Sequence, residues 1–407
     1  MTPEEEQATK ISTSLVGKHV LLGVTGSIAA FKAAGWVRNL TTQSARVTVI
    51  MTRAAERFIT STTFSALSGY QVYKDMFAEQ PDELMAHITL SREADVLLIA
   101  PATAHTIARL AHGMADDLLS TVVLAAKIPV VICPAMNTAM FNHPATEKNL
   151  LQLQEIGYHV VQPACGDLAC GEEGPGRLPE WEKVQEKLVS LFCPQDLAGK
   201  KIVVTAGPTR EPLDPARYLS NRSSGKMGYA LAQTAARRGA EVTLISGPVQ
   251  LKEPPMTSTI QVTTARQMHE QVVNIAGEAD IIVMAAAVAD FKPRNYQQQK
   301  IKKAQGIRSI ELVDNQDILL ELGKKRRKGC LLVGFAAETR DHEAEGRRKL
   351  AQKKADLIVV NDILGVDTGF DVETNQVTLV DRKGKKILPL LSKEDTANLI
   401  WNHILDL

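Results

Sequence analysis

The chain has 407 residues, of which 44% are hydrophobic, and its formal net charge is +1. This length allows two domains with separate cores, and the near-neutral charge argues against a nucleic-acid partner. No run approaches the ~20 apolar residues of a membrane span, and the acidic start of the chain lacks the order of a secretory signal. The five cysteines are an odd number, which argues against a framework of disulfide bonds. Together these observations lead us to expect a cytoplasmic protein without a membrane partner.

Strand-like runs alternate with helix-length segments along the chain, which predicts the α/β class with two Rossmann-like, doubly wound domains. A polar stretch near residue 195 precedes a run that resembles the start of the first domain. We therefore place an N-terminal extension at 1–15, a first domain at 16–194 and a second at 195–407. The predicted strands are 19–24, 46–51, 95–100, 129–133 and 158–162 in the first domain, and 201–206, 241–246, 280–286, 331–335 and 357–361 in the second.

The first predicted strand leads into a loop of small residues, GVTGSIAAFK, at residues 23–32. Gly23 and Gly26 would let the backbone approach an anion, while Ser27 and the first amides of a following helix can donate hydrogen bonds to a phosphate. The loop is not GxGxxG, which disfavours a dinucleotide. Glycine at such a turn is also compatible with a purely structural role.

Two further strings make the first half specific: the segment at residues 100–120 and PAMNTAMF at 134–141. With the GSIA loop, they resemble the flavin-dependent cysteine decarboxylases, which hold one FMN in a flavodoxin-like domain. The resemblance implies that Asn137 and Met140 face the carboxylate of the substrate and that His87 is an active-site residue. It also implies a set of residues around the flavin and its phosphate: Gly26, Ser27, Ile28, Thr52, Thr103 and Ser120.

A third string, ACGEEGPGRL at residues 169–178, resembles the substrate-covering flap of phosphopantothenoylcysteine decarboxylase. On that match Cys170 is the proton-donating thiol, although Cys165 lies in a second ACG just upstream. We prefer Cys170, because GPGR follows it at the family spacing, and the two cysteines do not have the spacing of a metal site. The family uses FMN because the substrate lacks a β-carbonyl to accept the electrons of decarboxylation, and oxidation at its thiol-bearing carbon supplies that electron sink.

In the second half, residues 205–232 are predicted to run from a strand through a long polar loop into a helix. Gly225 and Lys226 do not complete a Walker pattern, since Ser or Thr is absent after the lysine and glycine is absent five residues before Gly225. A dehydrogenase is a possible alternative for such a sheet, but no tyrosine and lysine stand at a helical spacing that suggests hydride chemistry.

Over most of residues 198–405 the chain resembles phosphopantothenate–cysteine ligase, through SNRSSGKMG, MAAAVADFKP, KIKK, NQDIL, VGFAAET and KLAQKKADLIVVND. Gln316 departs from the bacterial pattern, which usually has proline there. The resemblance implies that Asn221 holds the activated carboxyl group, that Arg217 binds substrate, and that Lys300 belongs to a mobile strap over a triphosphate. It further implies CTP with Mg²⁺ carried mainly by the triphosphate, and nucleotide contacts from Met284, Ala285, Ala286, Asp290, Lys300, Asp317, Ile318, Phe335, Lys349 and Lys353.

Together the two resemblances imply a fused enzyme of coenzyme A biosynthesis. The second half joins 4'-phosphopantothenate to L-cysteine, and the first half decarboxylates the resulting 4'-phosphopantothenoylcysteine to 4'-phosphopantetheine. They also imply a homo-oligomer, with decarboxylase trimers assembled into a dodecamer and ligase domains paired as dimers. The alternatives are a flavin prenyltransferase, which would lack the PAMN string, the flap and the ligase, and a non-catalytic phosphatase-inhibitor subunit. Intact His87, Asn137 and Cys170 argue against the latter.

Overall fold

The computed structural model describes residues 14–76, 85–168, 171–302, 309–338, 341–362 and 372–407. Within these ranges the chain forms two compact units that meet in the sequence between Phe192 and Cys193. Each unit has its own sheet and its own hydrophobic core. The α/β class with doubly wound sheets is therefore confirmed.

The first unit is built on a six-stranded parallel sheet of order β3-β2-β1-β4-β5-β6. Strands β1 and β4 are buried along their whole length, as apolar β-branched runs are in a parallel sheet covered on both faces. When the two-residue edge strand β3 is left out, the remaining strands are ordered β2-β1-β4-β5-β6. Counted along the chain, this is the 2-1-3-4-5 order of flavodoxin-like folds. The strands are β1 His19–Val24, β2 Arg46–Met51, β3 Val72–Tyr73, β4 Val96–Ala102, β5 Val130–Pro134 and β6 His159–Val160.

Helices connect these strands, and a separate antiparallel pair follows them. The helices are α1 Ala30–Thr42, α2 Ser61–Ser68, α3 Ala86–Glu93, α4 Ala104–Ala111, α5 Leu118–Ala125, α6 Thr138–Phe141, α7 Pro144–Glu155 and α8 Trp181–Ser190, with a 3₁₀ turn at Ala55–Arg57. Strands β7 Ala164–Asp167 and β8 Glu173–Arg177 form a hairpin outside the main sheet.

The second unit has an eight-stranded sheet of order β13-β12-β9-β14-β17-β18-β20-β21, in which only the last two strands run antiparallel to their neighbours. Its strands are β9 Lys201–Ala206, β12 Glu241–Ser246, β13 Thr257–Gln261, β14 Ile281–Met284, β17 Leu331–Glu338, β18 Leu357–Asp362, β20 Val377–Asp381 and β21 Lys385–Ile387. The short pairs outside it are β10 Arg210–Asp214 with β11 Arg217–Ser220, β15 Phe291–Pro293 with β16 Leu312–Asp314, and β19 Thr374–Asn375 with β22 Leu391–Ser392. The helices are α9 Lys226–Arg237, α10 Ala265–Ala276, α11 Ile318–Lys325, α12 His342–Lys353 and α13 Lys393–Leu405.

All ten predicted strands are present, and β1, β2, β9 and β12 have the predicted bounds. The other six differ: β4 and β5 end later than predicted, β17 and β18 extend further, and β6 and β14 are shorter. The prediction of an unbroken polar loop after β9 is wrong, because this segment contains the β10–β11 hairpin. Glu211 and Asp214 are buried in that hairpin, so the usual alternation of apolar and polar residues is absent from its sequence.

Candidate functional sites

In the first unit, the loops that follow β1, β2 and β4 meet at the carboxyl edge of the sheet. The Thr25 hydroxyl donates to the carbonyl of Pro101 at 2.6 Å and accepts from the amide of Thr103 at 3.1 Å. The amide of Thr52 donates to the carbonyl of Val24 at 3.0 Å. The sheet order reverses between β1 and β4, which is where open α/β sheets bind ligands. The loops that carry these predicted flavin residues therefore meet at one edge of the sheet.

The loop between β1 and α1 has the close backbone approach that a phosphate cradle needs. A Cβ added to Gly26 would lie 2.5 Å from the Cβ of Ala54. The hydroxyl of Ser27 accepts from the amide of Ala29 at 3.3 Å, and no side chain caps the N-terminus of α1. The neighbouring Ile28 is 59% exposed. A helix N-terminus with small residues before it suits a monophosphate such as that of FMN.

Two of the predicted flavin residues take part in helix caps, Thr103 as an N-cap and Ser120 as the N3 residue of a capping box. The hydroxyl of Thr103 accepts from the amide of Thr106 at 3.3 Å, at the start of α4. Ser120 is buried and forms a capping box with Asp117, whose carboxylate accepts from the Ser120 amide at 2.8 Å and from its hydroxyl at 2.7 Å. Both hydroxyls thus have local partners, which fixes the orientation of each side chain.

The string that contains Asn137 lies under the β7–β8 hairpin. Asn137 caps α6 through its Oδ1, which accepts from the amide of Ala139 at 2.8 Å, and its Nδ2 donates to a carboxylate oxygen of Glu172 at 2.5 Å. The amide of Met136 donates to the carbonyl of Gly176 at 2.9 Å, and a Cβ on Gly176 would lie only 2.2 Å from the Met136 carbonyl oxygen. Glycine is therefore required where the hairpin crosses this string. Met140, in α6, is 49% exposed.

No described contact joins the remaining predicted decarboxylase residues to the loops that follow β1, β2 and β4. His87 is partly buried in the first turn of α3, which packs against α5, the helix that carries Ser120. Cys165 is exposed in β7, opposite Pro175. Cys170 lies outside the described residues.

In the second unit, one cavity of about 870 Å³ opens at the carboxyl ends of β14, β17 and β18. Asn221 and all but one of the residues predicted to contact the nucleotide line it. These lining residues are Met284, Ala285, Ala286, Asp290, Asp317, Ile318, Phe335, Lys349 and Lys353.

The loop after β14, residues 285–290, is held in place by side chains from other elements. The amide of Ala286 donates to the hydroxyl of Thr205 at 3.1 Å, and Nδ2 of Asn221 donates to the carbonyl of Ala287 at 2.9 Å. Nδ2 of Asn315 donates to the carbonyl of Ala289 at 2.9 Å. These bonds hold the backbone of the loop at the edge of the cavity, where its small side chains let a ligand approach the backbone closely.

Two of the cavity lysines, Lys349 and Lys353, each face a carboxylate. Nζ of Lys349 lies 2.6 Å from a carboxylate oxygen of Glu338, and Lys353 pairs with Asp317. Asp317 also caps α11 by accepting from the amide of Leu320 at 2.9 Å. A polyanionic ligand would therefore enter a site whose cations are already positioned by partners, which lowers the entropic cost of ordering them.

The cavity also contains residues that sequence reasoning missed: Lys226, Asn361, Asn375 and Lys393. The Oδ1 atoms of Asn361 and Asn375 are buried without a hydrogen-bond partner in the described part of the chain. Buried acceptors of this kind are usually satisfied in folded proteins. Lys226 and Asn361 stand in two of the strings quoted above, SNRSSGKMG and KLAQKKADLIVVND, whereas no local signal distinguishes Asn375 and Lys393.

Lys300 and Arg217 do not line this cavity. Arg217 forms an ion pair with Asp214, with Nε and Nη2 at 3.0 and 2.6 Å from the same carboxylate oxygen. The Arg217 guanidinium holds the pKa of the buried Asp214 carboxyl well below its ordinary value of 3.8. Lys300 is exposed and directly precedes Ile301, whose backbone contacts this pair.

Neither a metal cluster nor a membrane span is found in the described ranges. They contain no group of three or more His, Cys, Asp or Glu side chains that could hold an ion. They also contain no helix long and apolar enough to cross a bilayer.

Comparison with known proteins accounts for both units. The family model described as "Flavoprotein" matches residues 8–193, and the model described as "DNA/pantothenate metabolism flavoprotein C-terminal domain" matches residues 197–407. The Coenzyme A biosynthesis bifunctional protein CoaBC of Bacillus subtilis is 46% identical over 96% of this chain and 97% of its own length. The protein of the same name from Vibrio cholerae is 44% identical over 96% of this chain and 98% of its own length.

A solved C-terminal domain of a CoaBC protein is 42% identical, covers 51% of this chain and 95% of its own, and gives a TM-score of 0.44. Neither a flavin prenyltransferase nor a regulatory subunit would account for matches along both units. The identity and coverage of the full-length relatives decide the matter: the chain belongs to the family of bifunctional coenzyme A biosynthesis proteins, which carry phosphopantothenoylcysteine decarboxylase and phosphopantothenate–cysteine ligase activities.

Proposed function

We propose that the second unit uses CTP to join 4'-phosphopantothenate to L-cysteine, and that the first unit uses FMN to decarboxylate the product to 4'-phosphopantetheine. The observation that carries the proposal is the cavity that gathers Asn221 with all of the predicted nucleotide residues except Lys300. CTP as the nucleotide and Mg²⁺ on its triphosphate are part of the proposal, supported by the resemblance of this half to the bacterial ligases.

Ligation has to overcome the unreactivity of a carboxylate toward an amine. Attack of the carboxylate on the α-phosphate of CTP releases pyrophosphate and gives an acyl-cytidylate, from which the amine of cysteine displaces CMP. Lys349 and Lys353 would bind the nucleotide, and Asn221 would orient the activated carboxyl group beside the backbone of residue 287. Lys300 would stabilise the charge that develops as pyrophosphate leaves, so positioning and charge neutralisation supply most of the rate.

Decarboxylation depends on FMN, and the residues present fit that group. The backbone around Gly26, with Ser27, Ile28 and Thr52, would hold its phosphate, while Thr103 and Ser120 would border the ring. When bound, FMN accepts the electrons released by oxidation of the substrate at its thiol-bearing carbon.

The chain's own groups then bind and protonate the substrate. Nδ2 of Asn137 would donate to the substrate carboxylate, as it does to the Glu172 carboxylate at 2.5 Å in the structure. Met140 would border that carboxylate, and His87 would act within the active site. Cys170 would donate the proton that completes the product.

Assembly and location complete the proposal. Decarboxylase units would form trimers that assemble into a dodecamer, and ligase units would pair as dimers. Arg217 would bind substrate. The protein would act in the cytoplasm, where thiols such as Cys165 and Cys170 stay reduced. The family resemblance supports these statements.

The test is to incubate the purified chain with phosphopantothenate, cysteine, Mg²⁺ and either CTP or ATP, and to follow the products by mass. We expect 4'-phosphopantothenoylcysteine and then 4'-phosphopantetheine with CTP, and a yellow protein. In His87→Asn, ligation should continue while the cysteine adduct accumulates, since the two units have separate cores. Loss of both activities in a folded variant, or turnover with ATP alone, would contradict the proposal.

A matched pair of cysteine variants tests the proton donor. Cys170→Ser should still oxidise and decarboxylate its substrate but accumulate an intermediate two hydrogens short of product, because a serine hydroxyl is far less acidic than a thiol. Cys165→Ser should behave as the unmodified enzyme. The reverse result would assign the role to Cys165.

A further inference from the structure

One buried carboxylate in the β10–β11 hairpin collects five hydrogen bonds. Oδ1 of Asp214 accepts from the amides of Ala216 and Arg217 at 2.8 and 2.9 Å. Its Oδ2 accepts from Nε and Nη2 of Arg217 at 3.0 and 2.6 Å and from the amide of Ile301 at 3.1 Å. Asp214 is 3% exposed, so these bonds are made in a poorly solvated place.

The two oxygens have different tasks. The bonds to Oδ1 close the turn between β10 and β11, as an aspartate does in an Asx turn. The hairpin turn does not require Oδ2, whose partners are a guanidinium and a residue 87 positions away in the sequence. The Oδ2 half of the carboxylate therefore joins the hairpin to another segment.

That segment is residues 294–302, which follows β15. Nη2 of Arg217 donates to the carbonyl of Ile301 at 2.8 Å, so the Asp214–Arg217 pair binds both the amide and the carbonyl of one residue. A second attachment lies upstream, where the amide of Gln297 donates to the carbonyl of Leu213 at 3.0 Å. The two bonds from Ile301 to the Asp214–Arg217 pair are charge-assisted, and such bonds are shorter and stronger than neutral ones.

Ile301 is the residue after Lys300, so fixing its backbone restricts where the Lys300 ammonium can reach. We infer that Asp214 is a positioning residue of the ligase reaction: through Arg217 and Ile301 it sets the position from which Lys300 acts on the departing pyrophosphate. This inference rests on the proposed role of Lys300. Asp214 itself does not line the cavity at the carboxyl ends of β14, β17 and β18.

The Asp214→Asn variant tests it. Asparagine keeps an acceptor for the turn but places an NH₂ group against Nε, Nη2 and the Ile301 amide, all of which are donors. Hydrogen exchange of the Ile301 amide should accelerate by about tenfold or more, and single-turnover pyrophosphate release at saturating substrates should slow by about tenfold, as expected for the loss of a charged hydrogen bond. KM for phosphopantothenate should change less than this rate. Adding Lys300→Gln should cost much less than it does in the unmodified enzyme, because both changes remove one function.

Glu211→Gln is the matched control. Glu211 is another buried carboxylate of β10, also 3% exposed, but it accepts from the amide of Ala265 at 2.9 Å and so binds the start of α10. It should leave Ile301 exchange and pyrophosphate release near normal. If Asp214→Asn does not fold, Arg217→Lys keeps the charge, loses the bond to the Ile301 carbonyl, and should accelerate exchange of the Ile301 amide. Only the exchange readout is used for this variant, because Arg217 is itself proposed to bind substrate.

The outcomes are distinct. Unchanged exchange at Ile301 would overturn the inference, since the pair would then not hold the segment. Faster exchange with normal pyrophosphate release would overturn the link to Lys300. Full additivity with Lys300→Gln would do the same. Lys300→Gln alone tests the proposed role of that lysine, while the exchange measurement is independent of that role.

Discussion

The substitution Gly26→Ala should both destabilise the first unit and weaken its hold on FMN. The added Cβ would lie 2.5 Å from the Cβ of Ala54 and 3.1 Å from its carbonyl carbon, where carbon atoms normally pack at about 3.5–4.0 Å. The second contact is with backbone, so no rotation of a side chain can relieve it. The amide of Ala55 donates to the carbonyl of Thr52 at 2.9 Å, so a shift of Ala54 would carry a predicted flavin residue with it.

Overpacking of this kind costs about 1–3 kcal/mol of unfolding free energy. If half of that strain, about 0.5–1.5 kcal/mol, is expressed in the cradle, FMN affinity should fall by about two- to twelvefold, since about 1.4 kcal/mol corresponds to a factor of ten. Gly35→Ala is the control. Gly35 lies inside α1, the helix that follows the Gly26 loop, and a Cβ added to it would meet nothing within 4 Å. Alanine is favoured over glycine inside a helix, so this variant should gain about 0.5–1 kcal/mol.

Urea unfolding followed by near-UV circular dichroism reports on the first unit through the Trp36 and Trp181 rings, which lie 5.5 Å apart within it, and on the second through the buried Trp401. Only the transition of the first unit should shift in Gly26→Ala. Flavin absorbance after dialysis against FMN gives the affinity. If Gly26→Ala retains normal stability and normal flavin content while Gly35→Ala is stabilised as expected, the cradle does not depend on the contact between Gly26 and Ala54. The assignment of this loop to the FMN phosphate would then lose its structural support.

Three further outcomes follow from named contacts. Glu172→Gln removes a carboxylate that is bound to Asn137 and would compete with the carboxylate of the substrate. KM for 4'-phosphopantothenoylcysteine should therefore fall by about threefold or more, while the control Glu173→Gln should leave it unchanged. An unchanged KM in Glu172→Gln would mean that the Glu172 carboxylate does not compete with the substrate. Burial lowers the pKa of His19 below its ordinary value of 6.5, so the unfolded chain takes up a proton at a higher pH than the folded chain does. The stability of the first unit should therefore fall as pH drops below about 6.5. In thermal melts of His19→Gln, this part of the dependence of stability on pH should be absent. Asn221→Asp should slow formation of the cysteine adduct by about tenfold or more relative to pyrophosphate release in single-turnover assays, because a negative charge would stand beside the activated carboxyl group, and equal slowing of both steps would contradict that role.

The parts of the fold that could be predicted are those whose signal lies in the strand itself. Strands such as β1 and β9 are apolar over consecutive residues because both faces are covered, and this pattern is readable without neighbours. Hairpins such as β10–β11 were missed because their buried positions include Glu211 and Asp214. Those carboxylates are stable inside the protein only through partners such as Ala265 and Ile301, distant in the sequence.

The candidate sites show the same limit. Asn221 and Lys349 could be predicted because they stand in strings that resemble a family, and the cavity gathers both. Asn375 and Lys393 reach the same cavity from the end of the chain, where no motif marks them. The contact between Asn137 and Glu172 depends on how the β7–β8 hairpin crosses α6. Such contacts are set by tertiary packing, which local spacing does not encode.

The two units differ in the first crossover of their sheets, and this difference suits the chemistry proposed for each. In the first unit β1 passes directly through a short glycine loop into α1, where the proposed FMN phosphate would lie at the N-terminus of the helix. In the second unit β9 is followed by the β10–β11 hairpin before α9 begins. That insertion supplies Asn221, which binds the carbonyl of Ala287, and the Asp214–Arg217 pair, which binds Ile301. A reaction that must align a nucleotide, an acid and an amine needs these additional attachment points, whereas a bound cofactor already supplies the reacting group of the first unit.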